Sequence, residues 1–183
     1  LLGLRMESTQ LKGKIESQLT EEELQEEFSF PIDTDFDNNY TGLFPTVNFI
    51  YEFNEMENVS LGYNRRINRP RGWFLNPFPS RSSRTNIFQG NPNLAPAFSN
   101  AFDLGYLKRW EKVTLTSSIY YQRETDAFQR VQEQVFITGP GGSQVEVVRN
   151  IPFNLATNDR TGAELGILYN PTKWLRLNSS VNF

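Results

Sequence analysis

The chain has 183 residues, with 18 Lys and Arg against 21 Asp and Glu, and 14% of its residues are aromatic. A net charge of -3 gives no electrostatic basis for nucleic-acid binding. Because the chain contains no Cys and no His, disulfides, thiolate metal sites and catalysis by Ser-His-Asp or Cys-His groups are excluded within it. We therefore expect no enzyme, no cofactor and no metal site.

The chain begins and ends inside apolar patterns, and no apolar run approaches the ~18 residues that a membrane helix needs. We expect a piece of a longer protein, residues 1–183 forming one partial domain without a signal peptide. Apolar and polar residues alternate from residue 2 to residue 7, which predicts a first strand.

An acidic segment follows at residues 20–27 (TEEELQEE), with Asp33, Asp35 and Asp37 after it. The segment is helical by propensity but has no apolar stripe, so we interpret it as a solvated loop. Its carboxylates could bind a hard cation, but the regular ligand spacing of an EF-hand is missing.

Period-two alternation predicts about seven strands in all. They lie at residues 2–7, 43–53, 59–64, 100–110, 113–122, 163–169 and 174–183. The connections alternate between long and short. The last long connection, at residues 123–160, contains a flexible Gly-rich segment at 138–143 and a small hairpin at 145–148.

The loop lengths favour an all-β, antiparallel, up-and-down transmembrane β-barrel with short periplasmic turns and long extracellular loops. Polar strand faces suit a water-filled lumen, and aromatic residues beside the short turns suit an interfacial girdle. These aromatic residues are Tyr51, Phe53, Trp110, Tyr169 and Trp174.

The alternative is a soluble antiparallel β-sandwich, a binding module for carbohydrate or a protein partner. Both folds explain the alternation of apolar and polar residues. The direction of Val47, Phe49 and Ile119 distinguishes them, since these side chains face lipid in a barrel and a closed core in a sandwich.

The stretch at residues 61–106 carries a family resemblance. Its motifs are YNRRINRP at 63–70, Trp73, LNPF at 75–78, GNPNLAP at 90–96 and FDLGY at 102–106. Together with GLR at 3–5, LFP at 43–45 and PTKW at 171–174, they resemble the barrel of TonB-dependent outer-membrane receptors, most closely the outer-membrane β-barrel family typical of Bacteroidetes. In that family the motif at residues 90–96 is normally followed by Glu, whereas this chain has Ala97 at that position.

The resemblance implies location in the bacterial outer membrane and energised uptake of a large ligand such as a siderophore or a glycan. The implied partners are outer-membrane lipid, the receptor's own plug domain, the remaining barrel strands and the TonB energy-transducing complex, which would act through a missing N-terminal region. A surface lipoprotein is a further candidate partner.

Two sets of residues in this stretch are candidates for specific roles. Ligand contact is predicted for the charged and aromatic residues Arg69, Arg71, Trp73, Phe74, Phe78, Arg81, Arg84 and Phe88, whose guanidinium groups suit anions and whose rings suit sugars or siderophores. A structural role is predicted for Arg65, Arg66, Pro70, Asn91, Pro92, Leu94 and Pro96. The same aromatic residues could instead pack the loop into a compact lid.

Overall fold

The structure is a computed structural model that describes residues 1–14, 16, 18–80, 83, 85–138 and 142–183. It contains eight strands and two helices within those residues. In chain order they are β1 (Leu2–Lys14), α1 (Glu21–Phe28), β2 (Asp35–Asn54), β3 (Glu57–Asn68), α2 (Gly72–Leu75), β4 (Asn86–Phe88), β5 (Ala97–Arg109), β6 (Val113–Thr138), β7 (Gln144–Thr172) and β8 (Leu175–Asn182).

One sheet contains every described strand, in the order β1-β2-β3-β5-β6-β7, with β8 and β4 both pairing with β7. The seven long strands pair antiparallel with their neighbours in sequence, as in an up-and-down barrel wall. The predicted fold class is thus confirmed, and the seven predicted strands are the seven long ones. The short β4, which pairs parallel with β7, was not predicted.

One face of the sheet is apolar. Phe49, Leu61, Leu104 and Ile119 form a continuous row across four strands, and they are 58%, 49%, 47% and 56% exposed. Among the described residues no second sheet covers this face. The sandwich alternative is therefore not supported, whereas a lipid-facing barrel wall accounts for exposed apolar rows.

The opposite face is polar. Asn48, Gly62, Asp103 and Tyr120 lie in register across it, and Gly162 continues the row on β7. Polar and small residues of this kind suit the lumen of a barrel. At Gly162 a Cβ atom would lie 2.2 Å from the Tyr120 hydroxyl oxygen, so the Tyr120 ring fills the space beside it.

The three short connections lie at one end of the sheet, between β2 and β3, between β5 and β6, and between β7 and β8. The aromatic residues predicted to form a girdle are near this end and are all exposed: Tyr51, Phe53, Trp110, Tyr169 and Trp174. Neither of the described helices has the length and apolar content that a membrane span requires.

The acidic segment is a helix, so its interpretation as a solvated loop was wrong. Thr20 caps α1: its hydroxyl accepts from the Glu23 N–H at 3.2 Å, and its own N–H donates to Glu23 Oε2 at 2.7 Å. Both bonds satisfy donors that a helix start would otherwise leave free. The one apolar residue in the middle of the segment, Leu24, is 4% exposed, so a single buried side chain replaces the apolar stripe.

The predicted long loop at residues 123–160 was also wrong, because β6 and β7 continue through it as one hairpin. The 26 residues of β6 would extend roughly 85 Å at ~3.3 Å per residue, far beyond the ~9–11 residues that cross a membrane. A bulge at residues 124–128, where Asp126 has φ 57°, interrupts the ladder. The predicted small hairpin at 145–148 is part of β7, and residues 139–141 of the Gly-rich segment lie outside the described residues.

Candidate functional site

The long connections meet beyond the bulge of the β6–β7 hairpin and form one structured unit, which we call the cap. It consists of residues 20–34, of the described residues 69–80, 83 and 85–96, and of the distal hairpin at 127–138 and 144–156. A small apolar core holds these pieces together. Phe30, Ile87 and Val147 are buried in it, one from each piece, and Val135, Ile137 and Val145 pack against them.

β4 attaches the loop at residues 69–96 to the hairpin. Its residues Asn86–Phe88 pair in parallel with Val148 to Asn150. Asn150 is 9% exposed, and its Nδ2 donates to Asn86 Oδ1 at 2.8 Å and to the Ile87 carbonyl at 3.4 Å. A buried amide on the hairpin thus bonds to both the side chain and the backbone of the loop.

Gln89 joins all three pieces of the cap. Its backbone N–H donates to the Asn150 carbonyl at 3.0 Å, and its side-chain Nε2 donates to the carbonyls of Pro31 and Pro77, each at 2.8 Å. Its Oε1 accepts from Arg149 Nη1 at 3.1 Å, and Arg149 also pairs with Glu133. Gln89 is 4% exposed, so its polar groups are satisfied by protein rather than by water.

The motif at residues 90–96 forms the corner that leads into β5. Gly90 lies against the backbone of residues 74–76, where a Cβ would come within 2.4 Å of the Asn76 carbonyl oxygen, so only glycine fits. Asn91 Nδ2 donates to the Pro152 carbonyl at 3.2 Å, and the Pro92 carbonyl accepts from Asn38 Nδ2 at 2.6 Å. Leu94 and Pro96 are buried, as is Pro92.

An aromatic cluster lies where α2 meets the hairpin. The Trp73 ring centroid is 4.1 Å from Phe74 and 4.9 Å from Phe88, and Phe74 is 5.7 Å from Phe128. The Arg130 guanidinium lies over both the Trp73 and the Phe88 rings, at 5.4 and 5.5 Å. Trp73 remains 45% exposed, so the cluster presents Trp73 and Arg130 at the surface.

The structure thus brings together three of the predicted ligand-contact residues, Trp73, Phe74 and Phe88. Phe78 is half-buried in the same loop. Sequence reasoning missed Phe128 and Arg130, because both lie in the stretch interpreted as a loop. Residues 129–137 read QRVQEQVFI, and they lack the regular alternation of polar and apolar residues that would have predicted a continuing strand.

The predicted arginines are dispersed. Arg69 donates from Nε to the Tyr40 hydroxyl at 3.2 Å and forms an ion pair with Glu7. Arg71 is exposed and precedes α2 without capping it through its side chain. Arg81 and Arg84 lie outside the described residues. Pro70 is half-buried.

Arg65 and Arg66 lie on β3 at its cap end. The Arg65 guanidinium is 4.9 Å from the Phe98 ring, and Arg66 is exposed. Within the described part of the chain, no group of three or more Asp or Glu side chains is placed to hold a metal ion.

Comparison with solved structures finds the same fold in outer-membrane receptors. A siderophore receptor of Acinetobacter baumannii, PirA, matches 81% of this chain with a TM-score of 0.62 and 15% identity, over 24% of its own chain. The ferric enterobactin receptor PfeA of Pseudomonas aeruginosa, in complex with enterobactin, matches 81% with a TM-score of 0.66 and 15% identity, over 23% of its chain.

The hemophore receptor HasR of Serratia marcescens, in complex with its hemophore HasA and heme, matches 92% of this chain with a TM-score of 0.60 and 16% identity, over 27% of its own chain. The chain therefore spans about a quarter of the length of these structures, and at such identities the likeness concerns the fold. No match was found among curated proteins.

The model of the outer membrane protein beta-barrel family matches residues 1–183, the whole chain. That family consists of outer-membrane barrels and not of enzymes. An origin typical of Bacteroidetes stays a prediction. With an apolar outer face, a polar inner face and long connections at one end, this chain belongs to the outer membrane protein beta-barrel family and is part of an outer-membrane barrel wall.

Proposed function

We propose that this chain is part of the barrel of a TonB-dependent receptor that takes up a large ligand across the outer membrane. The observation that carries the proposal is the cap, an ordered unit with its own apolar core above a lipid-facing wall. Binding residues lie disproportionately on connections that a rigid scaffold positions, and the cap is a structured surface of this kind. The solved neighbours are receptors for a siderophore, for ferric enterobactin and for a hemophore with heme.

The remaining partners follow from this proposal. Outer-membrane lipid would cover the apolar rows, and further strands would pair with the edges of β1 and β8, because unpaired strand edges are not tolerated in lipid. A plug domain and the TonB complex would supply energised transport. A surface lipoprotein could rest on the cap.

Ligand contact within this chain is assigned to the exposed part of the aromatic cluster. Trp73 and Arg130 form a surface on which a ring or a planar group can stack. Arg69 and Arg71 precede this surface along the loop. Phe74 and Phe88 support Trp73 from below, so their role is positioning.

The test is uptake by cells that produce the full-length protein. Accumulation of a panel of ferric siderophores, heme and oligosaccharides is compared with and without the gene, and with and without a protonophore. We expect one member to accumulate only with the gene and only in energised cells, and Trp73→Ala to reduce its binding. Trp174→Ala, an exposed tryptophan at the opposite end, is the matched control. Accumulation that is independent of the gene overturns the proposal.

A further inference from the structure

The wall is split between β2 and β3 at its cap end. Pairing between these strands stops at Thr46 and Asn64. Nevertheless β2 stays paired with β1 as far as Asp35, and β3 stays paired with β5 as far as Asn68. Each strand is therefore regular on its other side, and only the ladder between β2 and β3 is missing.

Pro45 explains where this ladder stops. The Asn48 N–H donates to the Leu1 carbonyl at 2.8 Å, so it points at β1. Backbone groups of successive residues point alternately to the two neighbouring strands, so the backbone nitrogens of Val47 and Pro45 point at β3. Proline has no N–H, and the donor that would bond to β3 beyond the Thr46–Asn64 pair is absent.

A cavity of about 710 Å³ occupies the split. Its polar lining consists of Arg5, Arg65, Arg66, Thr46, Asn48 and Asn64, without a carboxylate. Because β2 and β3 separate here, the edge of β3 is open to the cavity. The consecutive residues 65 and 66 therefore both line it. Five of these six polar residues, all except Arg65, occupy polar-face positions, so the cavity is lined mainly from the lumen side. Arg65 occupies an apolar-face position on the open edge of β3.

Two of the three arginines of the split lie against aromatic rings. Arg65 lies 4.9 Å from the Phe98 ring, Arg5 lies 5.3 Å from the Phe44 ring, and these two rings stack at 6.4 Å. A ring covers the flat face of a guanidinium and leaves the N–H groups at its edge free to donate. The Arg65 Nε atom is buried and makes no hydrogen bond within the described part of the chain.

The charge of the split is only partly neutralised. Arg5 pairs with Glu7 at 3.0 Å, and Glu7 is shared with Arg69. Arg66 forms no ion pair with any residue that the structure describes. Arg65, which lies against a ring, and the exposed Arg66 thus form no ion pair with a described residue, and they lie next to amide and hydroxyl donors. Guanidinium groups bind carboxylates and phosphates through strong charge-assisted hydrogen bonds.

We propose that the split is an oxyanion site that binds a carboxylate or phosphate group of the molecule taken up through the lumen, which rests on the proposed uptake function. Arg66 and Arg65 would donate to the anionic oxygens, with Asn48 and Asn64 as further donors. Because the cavity is lined mainly from the lumen side, the anion comes from the lumen and not from a lipid headgroup.

The experiment measures binding of citrate and of tripolyphosphate, by calorimetry, to the full-length protein in detergent. We expect Arg66→Gln to weaken binding of at least one probe by about tenfold or more, since a hydrogen bond to a charged group is lost. Arg66→Lys should retain part of the affinity. Arg123→Gln, which removes an arginine outside the cavity at the same end of the wall, should leave it unchanged.

Arg66 is exposed, so its replacement should not disturb folding, and Arg65→Lys tests the buried donor independently. Binding that is equal in Arg66→Gln and the parent protein, or that falls equally in Arg123→Gln, overturns the site. A protein that takes up its ligand but binds neither probe overturns this inference and leaves the proposed function standing. A protein with Arg66-dependent probe binding and no uptake has the site but not that function.

Discussion

Gln89 Oε1 accepts a hydrogen bond of 3.1 Å from Arg149 Nη1, and this contact connects the loop before β5 to the distal β6–β7 hairpin. The same Gln89 side chain donates to two proline carbonyls, one of them in the segment after α1. The three long connections are therefore one unit, and loosening one of them should loosen the others.

Gln89→Ala should destabilise the cap by about 1–3 kcal/mol, because it removes the hydrogen-bond partner of the Pro31 and Pro77 carbonyls and of Arg149 Nη1. Hydrogen exchange of the full-length protein should show faster exchange in residues 20–34, 69–96 and 144–152 together. Gln129→Ala, at an exposed position of β6, is the control and should leave exchange unchanged. Acceleration confined to residues next to position 89 would contradict a single unit.

Asn154→Ala should loosen the bulge at the base of the hairpin. Asn154 Nδ2 donates to the carbonyls of Asp126 at 2.7 Å and of Ala95 at 2.8 Å, while its Oδ1 accepts from the Ala95 N–H at 2.9 Å. At ~0.5–1.5 kcal/mol per bond, we expect a loss of roughly 2 kcal/mol in local stability, measured as proteolysis between residues 92 and 98. Asn158→Ala, which removes one bond to Glu124, should have a smaller effect.

Leu104→Arg tests the assignment of the two faces. Leu104 lies on the apolar face, and its neighbour Asp103 lies on the polar one. An arginine facing lipid near the bilayer centre costs about 2–4 kcal/mol, whereas one in the lumen is tolerated. We expect Leu104→Arg to reduce the amount of folded full-length protein in outer membranes and Asp103→Arg to have little effect. Equal levels of the two variants would contradict the assignment.

The stability of the first turn of α1 should depend on pH. The Thr20 N–H and hydroxyl both donate to the Glu23 carboxylate and lower the pKa of Glu23 below its ordinary value of 4.5. Since the folded pKa is the lower one, the stabilisation is present above the unfolded value and is lost as pH falls through the folded pKa. Exchange protection of residues 21–27, corrected for intrinsic rates, should fall below about pH 4.5 in the parent protein. In Glu23→Gln the side-chain oxygen still accepts a hydrogen bond but does not titrate, so protection should not change with pH in this range. A parallel pH profile in both proteins would count against this account.

The wall could be predicted from the sequence because each of its residues faces either lipid or lumen. This constraint gives each strand a sequence in which apolar residues such as Phe49, Leu61 and Leu104 alternate with polar ones. A strand can therefore be predicted without knowing its distant contacts. The structure of the cap was harder to predict from the sequence, for a physical reason. Among the side chains of its helix that the structure describes, Leu24 is the one buried apolar residue, and the polar core of the cap depends on pairs 60 residues apart, such as Gln89 with Arg149.

The split between β2 and β3 could not be predicted from the pattern of polar and apolar residues either. Arg65 and Arg66 were predicted to have a structural role, and the strand predicted before them ended at residue 64. Only the register shows that this part of β3 has lost its partner, and only the cavity shows that both side chains line one space. The three-residue β4 could not be predicted either, since its pairing with β7 is set by the hairpin beneath it.

Pro45→Val should close the split, because it restores an N–H that points at β3 at the position where pairing stops. In the variant we expect the amide of residue 45 to be protected from hydrogen exchange by a bond to β3, and the affinity for citrate or tripolyphosphate to fall as the cavity closes. Pro171→Val, beside the short turn between β7 and β8, controls for the loss of a proline. If the amide at position 45 exchanges as fast as an unpaired one, the rings of Phe44 and Phe98 and not the missing donor hold the strands apart.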